Sequence, residues 1–437
     1  MRNDIALILY YTRNNKYSLN SILAAIEHNN VPVDVYVVWN NDPILELAHR
    51  LRNLYRKVII GLSFFTTQLP EIISFVKLVK RYLPDIMVVG GGPHVTGDPA
   101  GSLLRIGFDY IFYGEAEESI CDFLCTLSEG GDVKNICGIG YVDDDKVVVC
   151  KRSKIVDLNS YPPFPYWRRM FNPIEIMRGC PIACKFCQVS FMHGVKVRFR
   201  DVDVILKYAE LMWKMGLRDL RFIAPNSFAY MSSNGITPCY DAIDTLLKKL
   251  HEKAKKYGGR IFFGTFPSEV RPDSVDKEVL KTLRRYVANT SLIIGAQSGS
   301  DKILRIINRR HTIEDVFNAV EAAIECGFKV DVDFIFGLPF EEEEDIQASI
   351  KAIERLVKTG ARIHAHTFMP LPGTPFAEAP PGRIPLSVKK KLYKLIGEGG
   401  LYGQWIIQER IANMIDWYRR NNYIFTGRKL NEKLRFR

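Results

Sequence analysis

The chain opens with short apolar runs separated by amphipathic stretches. Residues 5–11, 33–39, 58–63, 86–91 and 110–113 are nearly continuous in Val, Ile, Leu, Tyr and Gly, the pattern of strands covered on both faces. Between them, 19–28 and 69–82 place apolar residues at helical spacing. This alternation predicts an α/β domain over 1–150, a doubly wound, Rossmann-like parallel sheet with helices on both sides. Its end is marked by Gly130 and Gly131, and 138–151 reads as a hairpin turning at Asp143, Asp144 and Asp145. Pro162, Pro163, Phe164, Pro165, Tyr166 and Trp167 make 151–171 a linker that cannot continue a helix and is expected to strap one domain to the next. Alternation resumes over 172–372, with strands near 173–177, 220–224, 260–265, 291–295, 329–336 and 364–369. That succession predicts a partial (β/α)6 barrel with its active site at the carboxyl ends of the strands. The remainder, 373–437, reads as a short, helical, basic C-terminal region.

Composition changes this picture little. At 437 residues and 47% hydrophobic content the chain is long enough for more than one folded core. No apolar run is long enough to span a bilayer, and Met1 leads straight into strand-like sequence without a cleavage pattern, so a cytoplasmic protein is expected. The net charge of +11 fits either a solvated basic surface or an anionic partner. Its densest stretch, 427–437, is read as a tail that touches phosphates or frays in water.

The chemistry concentrates at Cys180, Cys184 and Cys187, spaced C-x3-C-x2-C. Three thiolates on one tight loop suit a 4Fe-4S cluster with one iron left open. Zinc is the rival, but structural zinc takes four protein ligands, commonly as two separated pairs, and no second pair follows. The other cysteines, Cys121, Cys125, Cys137, Cys150, Cys239 and Cys326, are scattered and read as packing residues.

In the first domain three loops follow strands: Ser63 to Thr67, Gly90 to Thr96 and Gly114 to Glu118. In a doubly wound sheet such loops border the ligand crevice, and glycine lets the backbone approach a bulky ligand. A nicotinamide site would place G-x-G-x-x-G after the first strand, where this chain has none.

The cysteine loop resembles that of the radical S-adenosylmethionine (SAM) superfamily. The likeness extends to Ile294-Gly-Ala-Gln-Ser-Gly-Ser-Asp301, Arg309-Arg-His-Thr-Ile-Glu-Asp315 and Asp333-Phe-Ile-Phe-Gly-Leu-Pro-Phe-Glu341, in the order of later barrel strands. The first domain is similar to the cobalamin (B12)-binding domain that often precedes such barrels. The resemblance implies a 4Fe-4S cluster on Cys180, Cys184 and Cys187, with SAM on its open iron. It implies SAM contacts from Phe186, Gln297, Ser298, Ile335 and Gly337, the last two packing on adenine unless they are plain barrel core. It implies a cobalamin cradle of Ser63, Thr66, Thr67, Gly90, Gly91, Gly92, His94, Thr96, Gly114 and Glu115. Two departures stand out. Position 92 is Gly where a D-x-H-x-x-G motif has Asp, so cobalamin is expected without a histidine lower ligand, and His94 as a loop hydrogen-bonding residue. The second barrel strand ends in Ala224-Pro-Asn-Ser227 instead of a Gly-Gly-Glu-like motif, leaving the SAM amine contact unassigned.

The function so implied is a cobalamin-dependent radical SAM methyltransferase acting on an unactivated carbon through a 5′-deoxyadenosyl radical and methylcobalamin. An electron donor such as flavodoxin or ferredoxin is implied with it. The substrate is left open among protein side chains, RNA, lipids and small molecules. A methylthiotransferase would carry a second cluster on N-terminal cysteines, and this chain has no cysteine before Cys121. Other radical chemistry with a degenerate cobalamin domain, and a non-catalytic cobalamin or redox sensor, are the remaining alternatives.

Three further features stand out. Asp331 with Asp333, and His364 with His366, alternate on single strands and so share a face; the histidines are read as metal or substrate contacts lacking a visible third ligand. The acidic run 341–345 reads as helix-dipole complement, and Tyr402 to Trp405 as packing or a cap on the barrel mouth.

Overall fold

A computed structural model describes residues 3–39, 43–151 and 155–437, so Met1 and positions 152–154 of the predicted linker lie outside the described residues. The chain divides into two compact units. One comprises Met1–Asn172 with Leu371–Glu378 and Ile415–Arg437, the other Pro173–Pro370 with Ala379–Met414.

In the first unit the apolar runs form β1 (Ile5–Tyr11), β2 (Asp34–Trp39), β3 (Lys57–Ser63), β4 (Met87–Gly91) and β5 (Tyr110–Phe112). They lie in the order β2-β1-β3-β4-β5, all parallel. Ile5, Leu7, Ile59 and Ile60 are fully buried, as helices on both faces require. This order places a topological switch between β1 and β3, where crossovers leave the sheet in opposite directions and open a crevice. The hairpin β6 (Ile139–Asp143) and β7 (Lys146–Val149) follows antiparallel, its turn residue Asp144 at φ 51°.

One expectation is corrected here. The basic end of the chain is no free tail: Leu434–Phe436 adds a parallel strand to β7, and Arg437 exchanges backbone bonds with Val149 and Lys151 at 3.0 Å each. Ile424 and Phe425 are buried in the same unit, which draws the segment home despite its charge. The proline-rich linker folds onto this unit as well, with Arg168 Nε bonded to Glu27 Oε1 at 2.6 Å and Asn172 accepting from Asn20 at 2.7 Å.

The second unit is a parallel barrel sheet in sequence order. Ile174–Glu175 pairs with Phe222–Ile223, and Asp219–Leu220 pairs with Arg260–Ile261. Val270 bridges to Ile294, and Ser291–Gln297, Lys329–Phe336 and Arg362–Thr367 continue the sheet. The predicted six strands are all present. A short extra strand, Leu401–Tyr402, pairs beyond the sixth, inside the region expected to be helical. Helices Val202–Lys214, Tyr240–Tyr257, Lys277–Tyr286, Ile313–Glu325 and Glu343–Thr359 bury one apolar stripe each. Their starts are capped from the sequence: Asp276 accepts from the amides of Glu278 and Val279, and Thr312 with Asp315 forms a capping box. No helix among the described residues is long and apolar enough to cross a membrane.

Register decides what meets inside the barrel. Gly295, Asp333 and His364 lie side by side on neighbouring strands, with Asp331 beside Arg362 on one level and Ile335 beside His366 on another.

Candidate functional site: a cysteine loop over a charged barrel floor

The cysteine loop follows the first barrel strand. Glu175 and Arg178 form a bidentate pair at 2.9 and 2.7 Å that stiffens the approach. Burial alone would raise the Glu175 carboxyl, but Arg178 holds it below the usual range. Gly179 turns at φ 88°, and a Cβ there would stand 2.4 Å from the Lys196 carbonyl. Ala183 also adopts a left-handed φ, 53°. Asn308 pins the turn by donating to the carbonyls of Ile182 (2.5 Å) and Ala183 (3.2 Å), while the Ser190 hydroxyl donates to Cys180 O at 2.8 Å. Cys184 is buried, Cys180, Phe186 and Cys187 are half-buried, and all nine cysteines are free. Desolvation, with Cys184, Cys180 and Glu269 nearby, pushes the Cys187 thiol up to about 12. A thiol so placed becomes a thiolate only against a compensating positive charge, which is what a metal cluster supplies.

Arg309 joins this loop to the barrel. Its Nη1 lies 3.7 Å from Cys184 Sγ, its Nη2 donates to Gly295 O at 2.6 Å, and its buried Nε has no partner. The space exists because position 295 is glycine: a Cβ there would stand 2.5 Å from Arg309 Nη2, 2.8 Å from Gln297 Nε2 and 3.1 Å from Glu269 Oε2. Desolvation of the carboxyl, with Asp333 close by, pushes Glu269 up to about 7, although the residue as a whole keeps exposed surface. Asp333 is held below the usual carboxylate range by hydrogen bonds from His364 and His366, against a burial that would raise it. Among the described residues, Asp333, His364 and His366 also bring three potential ligand atoms within 4.8 Å of one another, supplying the third partner that the His-x-His pattern lacked.

The expected SAM contacts are distributed unevenly. Gln297 sits at φ 78° just past an irregularity in its strand, turned toward the Arg309 cluster. His311 fixes this bend, its Nε2 3.1 Å from Ala296 O, and burial drives its imidazole down to about 2. The Ser298 hydroxyl is fully buried, 3.4 Å from the Ser349 hydroxyl and 3.2 Å from the amide of Ser300, and so braces a helix start. Ile335 is half-buried beside His366. Gly337 turns at φ 71° with its bare face 2.5 Å from Arg383 N, counted from where a Cβ would sit. Glu341, read from the sequence as dipole complement, instead buries its carboxylate to accept Gly337 N at 2.8 Å, and burial raises it to about 7. The rest of that acidic run does begin the helix, Glu342 and Asp345 forming a capping box and Glu343 and Glu344 lying in its first turn. In Ala224 to Ser227, Asn226 Oδ1 accepts from Arg271 N and Ser274 Oγ, and the Ser227 and Ser268 hydroxyls bond each other. Sequence reasoning assigned no role to Glu269, Arg309 or His311, although Arg309 and His311 open a quoted motif; the signal was charge inside strand-end sequence.

In the first unit the candidate cradle is held by bonds among its own members. The Ser63 hydroxyl meets Ser18 Oγ at 2.9 Å, Thr66 Oγ1 meets His94 Nδ1 at 3.1 Å, and Thr96 Oγ1 accepts Gly114 N at 3.1 Å. Glu115 accepts Val156 N at 3.1 Å, and Thr67 is exposed. Gly90 admits Phe108, whose ring would lie 2.8 Å from a Cβ there, and Gly91 and Gly92 are half-exposed. Gly92, at φ 91°, passes Ser63 Oγ and the Phe64 backbone too closely for any side chain. His94 is wholly buried and stacked on Phe64 at 5.0 Å, its Nε2 without a partner, and burial lowers it to about 3.

Comparison with known proteins matches these two regions separately. Residues 7–124 match the B12 binding domain, and residues 174–353 match the radical SAM superfamily. The chain thus joins a B12 binding domain to a radical SAM superfamily domain, the pairing of a cobalamin-dependent radical SAM enzyme. Its cofactors are accordingly a 4Fe-4S cluster, SAM and cobalamin. It is 26% identical over 329 residues to the uncharacterized methyltransferase PH0819 of Pyrococcus horikoshii, covering 72% of this chain and 68% of that one. A tRNA-2-methylthio-N(6)-dimethylallyladenosine synthase of Ruegeria sp. is 34% identical over 210 residues, 47% of this chain and 45% of its own. In fold, the chain superposes with a TM-score of 0.68 on the radical SAM methyltransferase TsrM of Kitasatospora setae with cobalamin and a 4Fe-4S cluster bound. That match has 17% identity and covers 86% of this chain and 74% of TsrM.

Proposed function

We propose that the protein is a cobalamin-dependent radical SAM methyltransferase acting on an unactivated carbon. Cys180, Cys184 and Cys187 would hold the cluster. When bound, the cofactors supply the electron transfer, hydrogen abstraction and methyl donation, and the chain supplies position, charge and exclusion of water.

Arg309 is the residue that carries the reading. It is a half-buried cation whose Nη1 lies beside Cys184 and whose Nε is unpartnered, and it fits the carboxylate of a methionine moiety held next to the open iron. Glu269 lies close to that cation and, with Asp333 beside it, offers acceptors suited to an ammonium or a sugar hydroxyl. His311 and the bend at Gln297 keep the strand end open for them. In the first unit, His94 bonds Thr66 and is buried to the last atom. That supports cobalamin bound by backbone and shape, with the cobalt unligated by histidine. The likeness to PH0819 and to TsrM supports methyl transfer over other radical chemistry. The likeness to the tRNA-2-methylthio-N(6)-dimethylallyladenosine synthase covers 47% of this chain, against 72% for PH0819.

Anaerobic reconstitution with iron, sulfide and hydroxocobalamin, followed by desalting, tests this. Retention of about four irons and one cobalamin per chain is expected, with the cobalamin spectrum of a species lacking a nitrogen lower ligand. Iron retained without cobalamin would remove the methyltransferase reading and leave a radical enzyme of other chemistry.

A further inference from the structure

The cluster of Asp333, His364 and His366 invites a reading as a metal site, since its donor atoms lie 2.9, 3.2 and 3.6 Å apart. The proton positions exclude it. Thr367 N donates to Gln408 Oε1 at 2.9 Å, which fixes the orientation of that amide. Gln408 Nε2, 3.1 Å from His366 Nδ1, therefore donates to it. A neutral His366 must then carry its hydrogen on Nε2, the very atom a metal would need as a lone pair. The contact between His364 Nδ1 and Asp333 Oδ1 settles the second ring, and the His366 Nε2–H, 3.2 Å from that same Nδ1, is left to point at Asp333 Oδ1 3.6 Å away. An ionised carboxylate oxygen 2.9 Å from a ring nitrogen requires the proton between them, because two lone pairs at that distance repel. In its neutral form His364 thus holds its hydrogen on Nδ1 and presents a bare lone pair on Nε2. The ring is clamped flat on Tyr402, centroids 4.6 Å apart and planes 9° from parallel, and its side chain is one-third exposed.

We propose that His364 is a catalytic base for the substrate, oriented by Asp333 and held by Tyr402, and that the substrate carries an O–H or N–H group on its reacting carbon. His364 Nε2 takes that proton. The O–H or N–H bond breaks, its electron pair stays on the substrate heteroatom, and the new imidazolium is balanced by the Asp333 carboxylate already bonded to Nδ1. Removing the proton pushes electron density toward the carbon and weakens its C–H bond, which favours hydrogen abstraction there. His366 cannot serve: its hydrogen is on Nε2 and its Nδ1 is occupied by Gln408. Arg362, bonded to Asp331 at 2.9 Å and lying over the Tyr402 ring at 4.5 Å, closes the cluster below and adds no acceptor. The proposal rests on the radical SAM reading of this barrel but needs no particular fate for the radical.

Nitrogen-15 magnetic resonance of the full-length protein labelled at histidine tests it, in the presence of a chelator and at a pH about two units above the ordinary histidine value. His364 should show a protonated Nδ1 and an unprotonated, pyridine-type Nε2, the minority tautomer in water, and His366 the reverse. Asp333→Ala should return His364 to the common Nε2–H tautomer, and Tyr402→Leu should leave the tautomer and broaden the signal. A wild-type His364 protonated on Nε2 would overturn the proposal, as would zinc chloride shifting both His364 and His366 together. Neither result would touch the retention of iron and cobalamin, so failure here is separable from failure of the methyltransferase reading.

Discussion

The two units treat their polar residues in opposite ways. Around the glycine loops of the first unit, hydroxyls, a histidine and a carboxylate bond one another, with the buried His94 Nε2 left over: Ser18 with Ser63, Thr66 with His94, Glu115 with the Val156 amide. On the barrel floor, charges are gathered and left incompletely matched: Arg309 keeps an unpartnered Nε, Glu269 is raised to about 7, and His364 shows an open ring nitrogen. The difference follows from the ligands the two surfaces suit. A large macrocycle is held by shape and backbone, so nearby side chains serve to stiffen loops. A small zwitterion beside a metal cluster needs specific charges, so the barrel keeps them in reserve at a cost in solvation.

The sharpest break in this contrast is at the cysteines. Cys180→Ala, Cys184→Ala or Cys187→Ala should each reduce retained iron and SAM cleavage to background, read as deoxyadenosine formed under reducing conditions. Full cleavage in any one of them would remove the cluster assignment. Next in size, Arg309→Lys keeps the charge but loses the fork that reaches both Gly295 O and the cysteine loop. SAM cleavage should fall at least tenfold, about 1.4 kcal/mol in the barrier, with iron content retained. An unchanged rate would leave Arg309 a structural strut.

Gly337→Ala comes third. At φ 71°, with a Cβ 2.5 Å from Arg383 N, it forces a non-glycine residue into the left-handed region against backbone. A loss of about 1–3 kcal/mol is expected as a lower barrel melting temperature, and a stable variant would mean that the 382–383 segment moves freely.

In the first unit the effects are milder and depend on pH. The folded state keeps His94 neutral down to about 3, whereas the unfolded chain protonates it below 6.5. Its contribution is therefore complete above 6.5 and lost as the pH falls below it, by about 1.4 kcal/mol per pH unit. The stability gap between wild type and His94→Leu should narrow by that amount on acidification, and a constant gap would mean that His94 is accessible to protons. Asp98 works with the opposite sign. Its carboxyl, raised by burial from 3.8 to about 7 although it accepts the amides of Gly101 and Phe425, gives stability complete below 3.8 and lost as the pH rises through 7. The smallest change is expected on deleting residues 434–437, which leaves the β7 edge unpaired. About 1 kcal/mol should be lost, seen as earlier melting of the first unit with iron binding unaltered.

Much of this was legible in the sequence because it is local. A strand covered on both faces must be continuously apolar, and the runs at 5–11 and 329–336 coincide with Ile5–Tyr11 and Lys329–Phe336. The helix at 69–82 is likewise Leu69–Tyr82, and the cysteine spacing names its chemistry within one loop. The roles that were not legible depend on partners far along the chain. Ser298 reads as a site hydroxyl until helix Glu343–Thr359 brings Ser349 against it, and Glu341 reads as dipole complement until the turn at Gly337 offers its amide. The basic end reads as a tail until β7 presents an unpaired edge.

The sequence by itself determined the order of elements, the cluster-binding loop and the two domain classes, since hydrophobic period and ligand spacing act over a few residues. Only the tertiary structure decided that Gly295 makes room for Arg309, that Asp333 sets the tautomer of His364, and that Gln408 removes His366 from service. Those are matters of strand register and of where a distant side chain arrives, and neither is written in the spacing of any one segment.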